Sequence, residues 1–179
     1  GMQGGFIEPG PSGLITRGKP DVLPTGRNFY SLDPATVPSK AAWRVGRKLA
    51  YLLITKYQEE HGKIPENVAM YWMASDIMWA EGEQLAQMLF LLGVEPVWKG
   101  SRVTGYRVMS TEELGRPRID ITVRASGITR DCFYNCIELL DSAIREVIAL
   151  DEPNEKNFPR KHYCQDRSKG GNPARISAR

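Results

Sequence analysis

The segment Arg118-Ile119-Asp120-Ile121-Thr122-Val123-Arg124-Ala125-Ser126-Gly127-Ile128-Thr129-Arg130-Asp131 restricts what this chain can fold into more than any other. Ile119, Ile121 and Val123 alternate with Asp120, Thr122 and Arg124, and β-branched residues at period two mark a strand. Ser126-Gly127 breaks that strand. Thr129 or Asp131 is placed to cap a long helix that begins near Cys132. A strand running through a small polar turn into a helix is the unit of a parallel α/β sheet, and ligands of such sheets sit at that junction. The turn holds Arg124, Ser126, Arg130 and Asp131. The plainer alternative is that Asp131 caps the helix and the arginines are solvated.

A partner strand is visible upstream. Val68-Ala69-Met70-Tyr71-Trp72-Met73 is continuously apolar, which predicts a parallel strand buried on both faces. Ala74-Ser75-Asp76 ends it. A helix from about Ile77 or Ala80 to Leu92 follows, with Leu85, Met88, Leu89 and Leu92 as its core stripe. Gly93 stops that helix before a strand at Val94–Trp98, so the three form a strand–helix–strand unit. Val103–Met109 is expected to pair antiparallel with Val94–Trp98. Before this unit, Ser39 is placed to cap a helix over about 40–61, with Val45, Leu49, Leu52, Leu53 and Tyr57 on the buried face and Gly62 at its end. His61 then sits in the last turn as a dipole partner. The helix over 132–150 carries Phe133, Ile137, Leu140, Ile144 and Val147 at helical spacing.

Both ends differ from this middle. Residues 4–40 hold six of the twelve prolines, yet Phe6, Ile7, Leu14, Ile15, Val22, Leu23, Phe29, Tyr30 and Leu32 are spread among them. A disordered linker is poorer in large apolar residues, so this is an extended, ordered arm. Within it, Leu23-Pro24-Thr25-Gly26-Arg27-Asn28 has the make-up of a ligand-contacting loop or of a surface turn. After Pro153 the pattern thins into a basic tail with no core stripe. The expected organisation is therefore an arm over 4–40, an α/β domain over 41–153 with a short, mainly parallel sheet in three layers, and a tail over 154–179.

A chain of 179 residues with net charge +3 gives no electrostatic case for nucleic acid. No apolar run approaches the roughly 20 residues needed to span a bilayer. No signal peptide is visible, and Gly1 before Met2 reads as a remnant of tag removal. Three cysteines, two of them on one helix, do not make a disulfide framework, which suits the cytoplasm. There is no Gly-x-x-x-x-Gly-Lys-Ser/Thr loop and no Gly-x-Gly-x-x-Gly, so nothing predicts that the chain itself binds ATP or a dinucleotide. Cys132 and Cys136 lie four apart, but no second pair converges on them, so no metal site is assigned. If strands 67–73 and 118–124 are parallel, their C-terminal loops share one edge. That edge then carries Ser75, Asp76, Glu81 and Glu83 beside Arg124, Ser126, Arg130 and Asp131. It suits an anionic ligand, a metal ion or a structural ion-pair network.

The chain resembles the large subunit of cobaltochelatase and the related H subunit of magnesium chelatase. The strings that carry the resemblance are Leu23–Asn28, Glu83 with Leu85-Ala86-Gln87, Leu91–Trp98, Glu113–Asp120, Ser126-Gly127 with Arg130-Asp131, Leu139–Asp141, Asp151–Pro153, Asn157-Phe158 and Arg160–His162. They come in the family's order and span nearly the whole chain; Leu91–Gly93 and Val97-Trp98 lie nearer the cobalt branch. The Cys132–Cys136 string departs from the family pattern. The resemblance implies an ATP-dependent ligase that inserts cobalt or magnesium into a tetrapyrrole, in cobalamin or chlorophyll-type biosynthesis. It implies that AAA-type ATPase and von Willebrand-like subunits supply the energy while this subunit binds the macrocycle. Family members are much longer, so the chain is expected to be one domain, inactive alone. The implied binding residues are Arg27, Asn28, Arg124, Ser126 and Arg130, because guanidinium groups hold carboxylates bidentately. The implied catalytic carboxylates are Glu83 and Asp131. The competing expectation is a non-catalytic domain that docks neighbouring domains or the ATPase.

Overall fold

The computed structural model describes residues 2–12, 22–30 and 32–170. The chain divides into an N-terminal unit ending at Pro34 and a second unit from Ala35 onward. In the N-terminal unit, β1 (Gly10–Pro11) pairs parallel with β2 (Asn28–Tyr30). The Asn28 amide tethers the turn by donating to the Pro11 carbonyl at 2.6 Å and the Val22 carbonyl at 3.0 Å. Leu14 and Ile15 of the expected arm, and the basic end at 171–179, lie outside the described residues.

The second unit opens with α1 (Lys40–His61), capped by Ser39 Oγ accepting from the Ala42 N–H at 3.1 Å. Gly62 ends it in the left-handed region at φ 69°, where a residue without Cβ is unstrained. His61 bonds the Tyr57 carbonyl at 3.1 Å. The buried face is not the expected one. Ala42, Trp43, Gly46, Ala50 and Ile54 face inward, whereas Val45, Leu49 and Leu52 are exposed, Leu52 at 66%. The reason is closeness to α3 (Glu83–Leu92): a Cβ on Gly46 would stand 2.6 Å from both the Ala86 Cβ and the Glu83 carbonyl oxygen. The small side chains let two helices touch, and the larger apolar stripe is left outside.

Strand β3 (Asn67–Trp72) pairs parallel with β6 (Asp120–Ala125), in a register running from Asn67↔Asp120 to Trp72↔Ala125. The expected parallel pairing is present, but burial on both faces is not. Met70 and Trp72 are buried, while Ala69 and Tyr71, on the opposite face, are exposed. The strand–helix–strand unit also resolves differently. The single helix expected up to Leu92 is α2 (Ala74–Ala80) followed by α3, broken at Glu81 (φ 54°) and Gly82 (φ 88°). After α3, strand β4 (Val94–Lys99) does not join β3. It pairs antiparallel with β5 (Arg102–Val108) in a second two-stranded sheet.

Beyond the short α4 (Thr111–Leu114), two buried or half-buried arginines lead into β6. Arg116 donates to the Phe90 and Leu91 carbonyls, and Arg118 to those of Leu92 and Gly93. Together they satisfy the open C-terminal carbonyls of α3, where the helix dipole favours a cation. The helix expected from Cys132 is α5 (Gly127–Cys132) and α6 (Tyr134–Ala149), with Phe133 between them in a non-helical conformation. Asn157, fully buried, caps α7 (Phe158–Ser168), so the stretch expected to lack regular structure is helical up to Ser168. α3 packs on α1, β6 and α6, and α7 packs on α6 and β6. The result is a mixed α/β unit with a short parallel sheet and flanking helices.

Candidate functional site

The C-terminal ends of β3 and β6 form one edge, held by the Ser126 N–H donating to the Trp72 carbonyl at 2.9 Å. From this edge the predicted residues divide by task. Ser126 is the N-cap of α5. Its Oγ accepts from the Thr129 N–H at 3.2 Å and lies 2.8 Å from Thr129 Oγ1. The cap expected at Thr129 or Asp131 is therefore Ser126, one residue after the strand, because α5 begins at Gly127 rather than near Cys132. Arg130 and Asp131 are exposed and pair with each other, Nε to Oδ1 at 2.7 Å. That hydrogen bond holds the Asp131 carboxyl below its ordinary range and raises Arg130. Arg124 is exposed, and its guanidinium lies over the Tyr71 ring, its cross-strand neighbour, 5.5 Å from the centroid.

Asp76 has a structural task. Its carboxylate accepts from the Gln84 N–H at 2.8 Å, the Leu85 N–H at 3.3 Å and the Trp72 indole at 3.0 Å. It thus serves the N-terminus of α3 across the Glu81–Gly82 break, in place of a Gly82 side chain that does not exist. Burial raises its pKa, against the pull of those donors. Cys136 is buried, and burial first, with the Asp76 charge second, pushes its thiol up to about 12. An inert thiol of this kind is a core residue. Glu83, half-buried, is the first residue of α3. Arg27 and Asn28 belong to the N-terminal unit. There the Arg27 carbonyl accepts from the Gly10 N–H at 2.6 Å, and Asn28 makes the tethers already described. Among the described residues, no group of three or more His, Cys, Asp or Glu side chains converges to hold a metal ion. No helix among them is long and apolar enough to cross a membrane.

Two features of the sheet were not anticipated from the sequence. The C-terminal edge carries exposed apolar side chains beside the arginines: Tyr71 (54%), Met73 and Ile128 (61%). The signal for Tyr71 was its parity, since it points opposite to the buried Trp72. At the other end of the same strand pair, His162 of α7 places Nδ1 2.7 Å from Asp120 Oδ2 and Nε2 3.4 Å from Glu66 Oε2, while Lys161 reaches Glu66 at 2.7 Å. The adjacent basic residues Arg160-Lys161-His162 were its only trace in the sequence.

A family model described as CobN/Magnesium Chelatase matches residues 1–179. The chain belongs to the CobN/magnesium chelatase family. It is 62% identical over 170 residues to an uncharacterised protein of Methanocaldococcus jannaschii, a match that covers 95% of this chain and 14% of the relative. It is 47% identical to the aerobic cobaltochelatase subunit CobN of Sinorhizobium sp over 88% of this chain and 12% of that one. Among solved structures, the catalytic subunit of cobaltochelatase from Mycobacterium tuberculosis superposes with a TM-score of 0.88 at 46% identity, over 96% of this chain and 15% of that chain. The chain thus spans about one seventh of the length of relatives it matches nearly end to end.

Proposed function

We propose that this chain is part of the large, tetrapyrrole-binding subunit of a cytoplasmic ATP-dependent chelatase that inserts cobalt or magnesium into a macrocycle. ATP is hydrolysed on an AAA-type partner subunit that acts with a von Willebrand-like subunit, and the metal ion is a substrate. One observation carries the local part of this reading. The parallel pairing of β3 and β6 sets apolar Tyr71, Met73 and Ile128 beside Arg124 and Arg130 on a single edge. A tetrapyrrole has the same dual character, a flat apolar ring bearing carboxylates. Its ring suits the apolar group, and its carboxylates suit Arg124 and Arg130, with Ser126 as a further polar contact; Arg27 and Asn28 are proposed separately, as macrocycle-binding residues of the N-terminal unit. Metal insertion releases the pyrrole protons, so a carboxylate must accept them or deliver the ion. Glu83 and Asp131 are assigned that role. Asp131 first has to exchange Arg130 for the ligand.

The test is titration of a free-base porphyrin against the full-length subunit and its Arg124→Ala and Glu83→Ala variants, with metal insertion followed by absorbance. The expected outcome is weaker porphyrin binding for Arg124→Ala, and slower insertion at near-normal binding for Glu83→Ala. Parent-like behaviour in both removes these residues from the site. The exposed Val45, Leu49 and Leu52 stripe on α1 favours a second reading, a docking domain. A pull-down in which the ATPase subunits are retained while no porphyrin binds selects it.

A further inference from the structure

Among the described residues, strand β6 pairs along one of its two edges. The Asp120 N–H donates to the Glu66 carbonyl at 3.0 Å, and the Ser126 N–H donates to the Trp72 carbonyl. Bonding in a parallel ladder alternates residue by residue, so Thr122 and Arg124 also face β3, and the backbone groups of Ile121, Val123 and Ala125 face away. The Ile121 N–H is taken by Asp120 Oδ1 at 2.9 Å. Among the described residues, β6 pairs with β3 alone, and the Val123 N–H and C=O and the Ala125 N–H have no hydrogen-bond partner.

That free edge opens onto a groove. Trp72, Val123 and Ala125, with Ile137, Leu140 and Ile144 of α6, line a cleft of about 300 Å³. Ile121, Ile144 and Ile148, together with the polar Asp120, His162 and Asp166, line a second, more polar cleft of about 280 Å³. Ile144 lines both, so the two run on from each other along β6. Ile137, Ile144 and Ile148 belong to the apolar stripe of α6, yet they are only half-buried. A two-stranded parallel sheet is itself incomplete by the usual standard. Parallel sheets have several strands and are covered on both faces.

We propose that this groove receives an added β-strand from the part of the large-subunit polypeptide lying outside these residues, a proposal that rests on the large-subunit reading. The strand bonds to Val123 and Ala125 and sets alternate apolar side chains against Ile137, Ile144 and Ile148. At about 3.3 Å per residue, roughly five residues cover the edge from Ile121 to Ala125. Strand addition to an open edge takes its affinity from the backbone and its specificity from alternate side-chain pockets. The supply of chain argues for an intramolecular strand, because the Methanocaldococcus relative has all but 14% of its length outside the matched region.

The test is amide hydrogen exchange at Val123 and Ala125. It compares this 179-residue chain at low concentration with the full-length Methanocaldococcus relative at the equivalent positions. Exchange slowed by about 100-fold or more in the long polypeptide is expected, with Thr122 and Arg124, which face β3, protected in both. An Ile144→Asp substitution, placing a charge in the groove, is expected to abolish the added protection in the long polypeptide and leave the short chain folded. Equal exchange in the two proteins overturns the proposal. So does protection in the short chain that rises with its concentration, which reports a second copy as the occupant. Porphyrin titration reads the functional assignment separately: intact porphyrin binding with an unprotected Val123 removes the strand alone.

Discussion

At the scale of single residues, Arg118 is the most heavily engaged side chain among those described. It is 1% exposed and donates to the carboxylate of Glu152 through Nε at 2.8 Å and Nη2 at 2.9 Å. It also donates to the carbonyls of Leu92, Gly93 and Met109. One guanidinium thus joins the end of α3, the end of β5 and the segment after α6. Removing it takes this donor from the Leu92 and Met109 carbonyls, and leaves Glu152 only the Asn157 amide and the Gly93 carbonyl only the Met109 N–H. Arg118→Met is therefore expected to cost about 3–5 kcal/mol, measured from the midpoint of denaturant unfolding, and Arg118→Lys to recover only part, since an ammonium cannot reproduce the fork. In the sequence, Arg118 was visible only as the first residue of the strand–turn–helix segment and as a member of a family string. Its partners are backbone carbonyls, which carry no residue identity, and a glutamate 34 positions away. Asp76 was hidden for the same reason. A carboxylate at a strand end suggests a ligand, and only the helix break at Glu81–Gly82 reveals that it caps the next helix.

At the scale of elements, the types were legible and the faces were not. The cap at Ser39, the stop at Gly62, and both the parallel β3–β6 and antiparallel β4–β5 pairings follow from local signals that the structure bears out. The buried side of α1 does not follow from such signals. The helix offers a stripe of large apolar residues and a stripe of small ones, and hydrophobicity alone selects the large. Packing selects the small stripe, because α3 approaches within van der Waals contact at Gly46. A glycine in an open helix is usually improved by alanine, by about 0.5–1 kcal/mol. Here the sign reverses, because the new methyl meets Ala86 Cβ and the Glu83 carbonyl, both at 2.6 Å. Gly46→Ala is expected to destabilise the chain by about 1–3 kcal/mol through overpacking, read as a lowered thermal midpoint. A midpoint at or above that of the parent protein shows that the α1–α3 spacing is looser than this.

At the scale of the molecule, the α/β architecture was readable because strand and helix periods differ. The segment after Pro153 was not, because α7 presents no broad apolar face. Its side chains are held largely by polar contacts with the start of the strand pair: Lys161 and His162 face Glu66, and His162 also faces Asp120. Such docking depends on pH. Lys161 is the largest cause of the lowered Glu66 pKa, and burial opposes it. A carboxyl whose folded pKa is depressed contributes stability that is complete above its unfolded value of 4.5 and lost as pH falls through the folded value. Glu66 is half-exposed, so screening by solvent keeps that contribution to at most about 1 kcal/mol. The Glu66→Gln variant is therefore expected to be slightly less stable than the parent at neutral pH. The gap should narrow as pH falls from about 5 to about 3, and a tyrosine fluorescence signal from Tyr163 on α7 should follow the same course. A gap that stays constant across this range means that α7 is held by the Asn157 cap and the α6 contact alone, and that the Glu66 pair contributes nothing to its docking.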